Sequence, residues 1–594
     1  MTLEIGLTLG IVAATVVLFA TEKLRVDLIA LIVLLTVALT GLVDTKQAFA
    51  GFSSPAVITV WAVYIVSGGL FATGVADLMG RAILRLAGDS EVRLIVVIML
   101  SCGVMSAFMN NVGATAMLLP AVIGISRRSN VPVSRLLIPL SFSSLMGGNM
   151  TLIGTPANIL ASNILIDRGL PSFGFFDFLP TGLTVFAVGV VYMALLGRKL
   201  LPVRETPGGV GTSARRLREY LSEVKVQEDS FLAGKTLQEA ALGDRYDLTV
   251  VSMNRAGHLR TNLYRNSRIQ AGDLLFIRGS VDNLLRARQE LGIRVEAELE
   301  DDLAPMEGKE VAIVEATLAP NTHLVGKSLR QIFFRDRYGF NVLAIWRRGE
   351  VITKRLRSVK LQFGDALLLL GPAHRADSLE EGDEFLLLEP RQVKPSRTGK
   401  APFAVATMLL VLGLAMFAGL SIATAMLTGA VLMVLGGCLS MEEAYQSIEW
   451  KTVFLVAGML PLGTAMEVTG TARFVSDILL GAAGGWGPVA VLAGIYILSA
   501  LITQPMSNAA AVVLMVPIAI DAAVSLGANI EPFVLATVIG ASTSFLTPVG
   551  HKANVLVFGP GGYRFFDYTR VGAPLNLVTL IVTLITLPLI WPIF

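Results

Sequence analysis

The chain has 594 residues, 54% hydrophobic and 16% charged, with a formal net charge of +3 and a mean hydropathy of +0.67. That composition excludes a protein soluble throughout, and the small, dispersed positive charge argues against a nucleic-acid surface. Charged residues concentrate between about Arg198 and Lys400, so two apolar blocks flank one soluble block.

In chain order, runs of bilayer-spanning length are predicted at 4–20, 26–43 and 56–74. A polar-tipped pair around 94–126, an interrupted run at 135–163 and a run at 176–197 follow. The first run has no cationic region ahead of it and no small-residue cleavage pattern, so it is read as a retained spanning helix. Beyond the charged block the series repeats at 402–419, 421–438, 452–468, 487–526, 533–558 and 573–592. If each polar-tipped pair is a re-entrant hairpin, each half makes five crossings, and an odd number inverts the second half. The expected fold is an α-helical polytopic membrane protein: an inverted repeat of five crossings plus one re-entrant hairpin per half, with an inserted pair of small α/β domains. The boundaries are 1–200 and 401–594 for the membrane repeats, and 216–299 and 307–391 for the inserted domains.

Basic residues accumulate in cytoplasmic loops near membrane ends. An outside N-terminus puts Lys23, Arg25, Arg81, Arg85, Arg93, Arg127, Arg128, Arg135, Arg198 and Lys199 inside, against Lys46 and Arg168 outside. The expected location is therefore the cell membrane with the insert cytoplasmic. The second half is less biased, since Glu442, Glu443 and Glu449 dilute its first inner loop.

Polar and helix-breaking residues interrupt both apolar blocks at one offset. Asn110-Asn111 and Gly154-Thr155-Pro156-Ala157-Asn158 in the first correspond to Ser507-Asn508 and Gly550-His551-Lys552-Ala553-Asn554 in the second. Asn158 and Asn554 are 396 positions apart, as are Ala48 and Ala444, and Asn111 and Asn508 are 397 apart. These tips are either polar positions on ordinary spanning helices, bonded between helices, or non-helical backbone around a polar cavity. Recurrence of the whole set favours a binding site between repeats.

Within the insert, Gly234-Lys235, Asp244-Arg245-Tyr246, Arg255, Gly257, Gly272-Asp273 and Gly279 recur 92 positions later. Their counterparts are Gly326-Lys327, Asp336-Arg337-Tyr338, Arg347, Gly349, Gly364-Asp365 and Gly371. Short β-like runs such as Leu248 to Met253 and Leu274 to Ile277, bounded by Gly and Asp, predict two small α/β modules. The pattern resembles the TrkA C-terminal (RCK-C type) domain of proteins regulating potassium conductance. That resemblance implies a small regulatory ligand or dimer assembly at the modules; a passive dimerisation clamp is equally open. No G-x-G-x-x-G follows a strand, so no nucleotide cofactor is expected. Arg255 and Arg347 read as solvated strand-end residues without a ligand role.

In the apolar blocks, Phe108-Met109-Asn110-Asn111, Leu118-Leu119-Pro120, the Gly154 to Asn158 motif, Ser507-Asn508-Ala509 and Val516-Pro517 resemble the divalent anion/sodium symporter family of the ion transporter superfamily. The resemblance implies sodium held at the tips by Asn110, Asn111, Gly154, Ser507, Asn508 and Gly550. It also implies an anion held by Asn111, Asn508, Ser507 and Thr155, and a homodimer moving by an elevator-like shift; His551 and Lys552 stand where the family has Thr-Pro, and they join the anion contacts on their own chemistry rather than by resemblance. Val112 and Ala509 stand where the family has Thr, which weakens the dicarboxylate contacts. The stretch Thr547 to Asn554, continuing through Gly559-Pro560-Gly561-Gly562-Tyr563, is similar to sulfate-permease-like members, so sulfate is favoured, with di- or tricarboxylates next.

A lysine at membrane depth costs roughly 2.5–3.5 kcal/mol on insertion scales. No acid lies within its own broken segment, so Lys552 is neutralised either by a bound oxyanion, by snorkelling, or by a carboxylate elsewhere in the chain. His551 either donates to the same anion or packs with a hydrogen bond. Asn and Ser oxygens with carbonyls freed by Gly and Pro suit sodium without a fixed negative charge.

No metal-ligand spacing joins His258, His323, His374 and His551, and no catalytic motif appears, so no enzyme and no cofactor beyond the sodium coupling ion are expected. Cys102 and Cys438 read as packing residues. Two further classes stay open: a ligand-gated ion channel, although no T-V-G-Y-G filter is present, and a proton-coupled anion transporter.

Overall fold

The computed structural model describes all residues except 1, 22–23, 76–89, 130, 204–221, 247, 256–257, 261–262, 264–265, 279–280, 292, 296–310, 319–321, 348–349, 353–355, 363, 373–374, 376–378, 380–383 and 388–396. Lys23, Arg81, Arg85, Gly257, Gly279, Gly349 and His374, and the domain boundaries at 216, 299, 307 and 391, fall outside the described residues. The chain divides into two units. One holds Met1–Val203, Gln392–Val557 and Arg564–Phe594; the other holds Arg204–Arg391 and Phe558–Tyr563.

The first unit is helical. Its principal elements before the insert are α1 (Leu3–Thr21), α2 (Val26–Leu39), α3 (Pro55–Ala72), α4 (Glu91–Ser106), α5 (Asn111–Ser129), α6 (Leu137–Gly148), α7 (Pro156–Asp167) and α8 (Leu179–Tyr192). After it come α9 (Ala401–Phe417), α10 (Ile422–Leu435), α11 (Trp450–Val468), α12 (Thr471–Ala483), α13 (Pro488–Ile502), α14 (Asn508–Leu526), α15 (Glu531–Ala541), α16 (Lys552–Phe558) and α17 (Phe565–Ile590). Among the described residues, seven helices are long and apolar enough to cross a membrane; α2, α5, α10, α13 and α15 are shorter apolar helices.

Sequence punctuation explains the boundaries. Ser54 accepts a bond from the Val57 N–H at the start of α3, where Pro55 supplies a preset first turn. Pro156 opens α7 and keeps Thr155 extended at φ −143°, because the residue before proline is disfavoured in the helical region. Of these principal helices, α12 was not anticipated: it carries Arg473 and Asp477 on an amphipathic stretch and so lacks the uniform apolarity that marks a span.

Burial sorts these helices. The run Asn508 to Ile520 of α14 is buried on every side, whereas α9, α10 and α17 leave Leu409, Phe417, Leu435 and Leu589 exposed on their outer faces. An all-round apolar helix belongs in a core, and a large apolar surface on the outer helices suits lipid rather than water. α14 packs against α7, α11 and α15; α2 packs on α11, α3 on α10, α4 on α6 and α8 on α17.

The second unit contains two five-stranded antiparallel sheets. The first comprises β1 (Ser222–Val226), β2 (Thr249–Arg255), β3 (His258–Arg260), β4 (Leu274–Arg278) and β5 (Ile293–Val295), in the order β3-β2-β4-β1-β5. The second comprises β6 (Val311–Leu318), β7 (Asn341–Arg347), β8 (Glu350–Ile352), β9 (Ala366–Pro372) and β10 (Phe385–Leu387). Its order, β10-β6-β9-β7-β8, is the same topology read from the other edge. Details repeat too: a register shift lies between Val250 and Ser252 and again between Val342 and Ala344. Val251 and Phe276 of the first sheet share a buried apolar cluster with Leu343, Ala344, Leu368 and Leu370 of the second.

Arg255 and Arg347 are not simply solvated. Arg255 donates through Nε and Nη2 to Asp273, and Arg347 does the same to Asp365. Both Asp side chains are almost fully buried and also accept a turn N–H, from Gln270 and Gln362. The hydrogen bond to each Asp raises the pKa of its Arg above the ordinary value. The pair in each module therefore pins the turn that leads into the central strand β4 or β9.

Candidate functional site

Two interruptions, between α6 and α7 and between α15 and α16, carry the motifs singled out from the sequence. Breaking a helix frees backbone groups that need partners away from water. Asn158 supplies them at the first break: its side-chain N–H2 donates to the carbonyls of Gly148 (3.2 Å) and Thr151 (2.7 Å). Asn554 does so at the second, donating to Ser544 (2.6 Å) and Thr547 (3.1 Å). All three members of this arrangement recur at an offset of 396.

The polar tips follow the same rule at an offset of 397. Ser106 Oγ lies 2.7 Å from Asn111 Oδ1 and 2.8 Å from the Ser144 carbonyl. Thr503 Oγ1 lies 2.9 Å from Asn508 Oδ1 and 2.6 Å from the Ala541 carbonyl. Each hydroxyl thus ties a tip Asn to the neighbouring interrupted helix. Asn110 Oδ1 accepts from the Val112 N–H at the start of α5, and Ser507 Oγ accepts from the Ala510 N–H at the start of α14. Pro120 and Pro517, again 397 apart, lie inside these two helices.

The first break packs tightly around its tip. A Cβ on Gly148 would lie 2.6 Å from Asn111 Oδ1 and 3.3 Å from the Gly154 carbonyl, so those two oxygens flank one point that only glycine leaves free. At the second break Ser544 occupies the corresponding position and donates to Asn508 Oδ1 at 3.0 Å. Gly550 lies near Gln504 Oε1 and the Thr547 hydroxyl, which accepts from the Gly550 N–H at 3.0 Å. Asn149 Oδ1, Asn158 Oδ1 and Gln504 Oε1 are buried acceptors without a donor among the described residues. Such oxygens suit a small hard cation.

The two breaks belong to one packed region. α14, which begins at the second tip, lies against α7, which begins at the first break. Ser141 of α6 donates to Asn554 Oδ1 at 2.6 Å, and Phe142 packs on Phe545 with ring centroids 4.7 Å apart.

Of the residues that sequence reasoning singled out, Asn111, Asn508 and Thr155 are buried, and Asn110 and Ser507 are partly so. Thr155 is the residue before α7, and its side chain makes no capping bond. His551 Nδ1 accepts from the Ala553 N–H, so its ring caps α16. Lys552 pairs with the carboxylate of Glu449, which also accepts from the Tyr64 hydroxyl at 3.1 Å. Of the alternatives left open for Lys552, the structure contains the distant carboxylate. Glu449 lies 103 positions away, and no local spacing identifies it. Ser106, Thr503, Gly148 and Ser544 also escaped the sequence reading; the hydroxyl pair Ser106 and Thr503 at the tip offset was the available signal.

Residues 16–540 match the citrate transporter family. The chain belongs to that family. This membrane-embedded transporter is 36% identical to the uncharacterized transporter sll0640 of Synechocystis, over 99% of this chain and 97% of that one. It is 32% identical to the uncharacterized transporter YfbS of Escherichia coli, over 99% of both chains. Sodium/sulfate cotransporter 1 of Chlamydomonas reinhardtii is 24% identical, over 96% of this chain and 89% of that one. The resemblance drawn from the tips pointed to divalent anion/sodium symporters; the matching family is that of the citrate transporters, with sodium/sulfate cotransporters among the relatives.

Proposed function

We propose that the protein is a secondary active symporter carrying a small divalent oxyanion, sulfate before di- or tricarboxylates, together with sodium. The observation that carries this reading is the twin set of hydrogen bonds: two interrupted helices, each with an amide spanning its freed carbonyls and a hydroxyl fastening a tip Asn. The two membrane halves are inverted copies of five crossings and one re-entrant hairpin, and their tips meet in the middle of the bilayer. Sodium is held by Asn110, Asn111, Gly154, Ser507, Asn508 and Gly550. The anion is held by Asn111, Asn508, Ser507 and Thr155, with His551 and Lys552 on its second side. Sulfate is favoured by the likeness of Thr547 to Asn554 and Gly559 to Tyr563 to sulfate-permease-like members and by the relatives named sodium/sulfate cotransporters, while Val112 and Ala509, in place of Thr, weaken dicarboxylate contacts.

On this reading the transporter is a homodimer with an elevator-like movement of the tip-bearing helices. The insert is cytoplasmic, and its two TrkA-C-like modules either take a small regulatory ligand or serve as a dimerisation clamp. Uptake of radiolabelled sulfate, succinate and citrate into proteoliposomes, with a sodium gradient, a proton gradient or neither, tests the reading. Saturable sulfate uptake driven by sodium is expected; uptake of none of the three under either gradient refutes it.

A further inference from the structure

The pair formed by Lys552 and Glu449 has a place in this cycle that the tips do not supply. Lys552 opens α16, two residues beyond Gly550 of the second break. Glu449 precedes α11, which packs on α2 and adjoins α3, and Tyr64 of α3 donates to its second oxygen. Among the described residues Glu449 is the only ionic partner of Lys552. The other groups facing the carboxylate are the titratable His551, also of the second break, and the Thr452 side chain one turn along α11.

We propose that Glu449 is a monovalent-cation site created when the transported anion binds. This rests on the reading that Lys552 contacts the anion. With no anion present, Glu449 neutralises Lys552 and the pair is electrically closed. An arriving oxyanion takes the ammonium, and while His551 is unprotonated the carboxylate keeps only neutral groups around it among the described residues. The Glu449 side chain is 26% exposed, so water compensates the uncovered charge only in part, and a lone part-buried charge is costly. A sodium ion or a proton restores neutrality. Anion binding thus strengthens cation binding, and by linkage the cation strengthens anion binding by the same factor. Such a carrier favours loading the two ions together.

The test uses the full chain in proteoliposomes and reads the initial rate of sulfate uptake. One arm varies sodium at fixed pH; the other varies pH at fixed sodium. Glu449→Gln is expected to lower the apparent cation order by one, in the sodium arm if sodium is the occupant and in the pH arm if it is a proton. The same variant lowers the half-saturating sulfate concentration at low cation by up to about fivefold, because an ion pair of this exposure competes by no more than that. The variant neutral at both positions, E449Q/K552Q, loses the gain in sulfate affinity and keeps the reduced order. It carries the same prediction of reduced cation order if E449Q alone does not fold. Glu449→Gln with both cation orders unchanged overturns the cation site while leaving symport intact. Wild-type uptake that responds to neither cation overturns the symport reading and this inference together.

Discussion

The two regions with repeated structure pin their backbones by different means. In the helical unit, Asn158 and Asn554 hold freed carbonyls with neutral amides. In the sheet unit, Arg255 with Asp273 and Arg347 with Asp365 hold a turn with a two-point ion pair. The task is the same, to fix irregular backbone beneath a packed element, but the solvent expected around each differs. A permanent charge is expensive inside lipid, whereas near water a guanidinium can keep one side wet while its partner is buried. The exceptions are then the informative residues, and Lys552 with Glu449 is the exception nearest the breaks.

The comparison can be broken where its effects are largest. Replacing Arg347 by Met leaves the buried Asp365 carboxylate unpaired and should destabilise the second sheet by about 3 kcal/mol. Amide hydrogen exchange across β7 and β9 reads this, and unchanged protection there would refute the assigned role. Asn554→Leu strands the carbonyls of Ser544 and Thr547 and the Ser141 hydroxyl, at roughly 2–3 kcal/mol in all. Asn158→Leu has no counterpart to Ser141 and should cost about 1 kcal/mol less. The melting midpoints of the two purified variants order them, and the reverse order would contradict the hydrogen-bond assignment.

Smaller changes sharpen the contrast between the two tips. A methyl group at Gly148 pushes directly on Asn111 Oδ1, so if Asn111 holds an ion as proposed, Gly148→Ala should slow transport at least about tenfold by misplacing that oxygen, with a smaller effect on melting. Ser544→Ala removes one neutral bond to Asn508, worth about 1 kcal/mol, and should change uptake only a few-fold. Equal effects of the two substitutions would mean that the tips are chemically interchangeable.

Much of this architecture was legible in the chain. Apolar run length located the apolar helices, and proline and glycine located both breaks to within a few residues, because backbone chemistry acts locally. The 92-residue recurrence in the insert likewise emerged as two sheets of one topology. Side-chain partners far apart in sequence were not legible. Glu449 meets Lys552, and Ser141 meets Asn554, only after the helices pack. Helix α12 was missed because its charged face masks its apolar one. Arg255 and Arg347 were misread because a strand-end arginine looks alike whether it faces water or a buried Asp.

The central claim is that an oxyanion is held between the two breaks. Anomalous diffraction from crystals grown with selenate in place of sulfate tests it most directly. The account predicts a selenium peak within hydrogen-bonding reach of the Asn111 or Asn508 side chain, beside the Gly154 or Gly550 backbone. A peak confined to the insert, or a map in which residues 149–155 and 542–551 continue as unbroken helix, would contradict it.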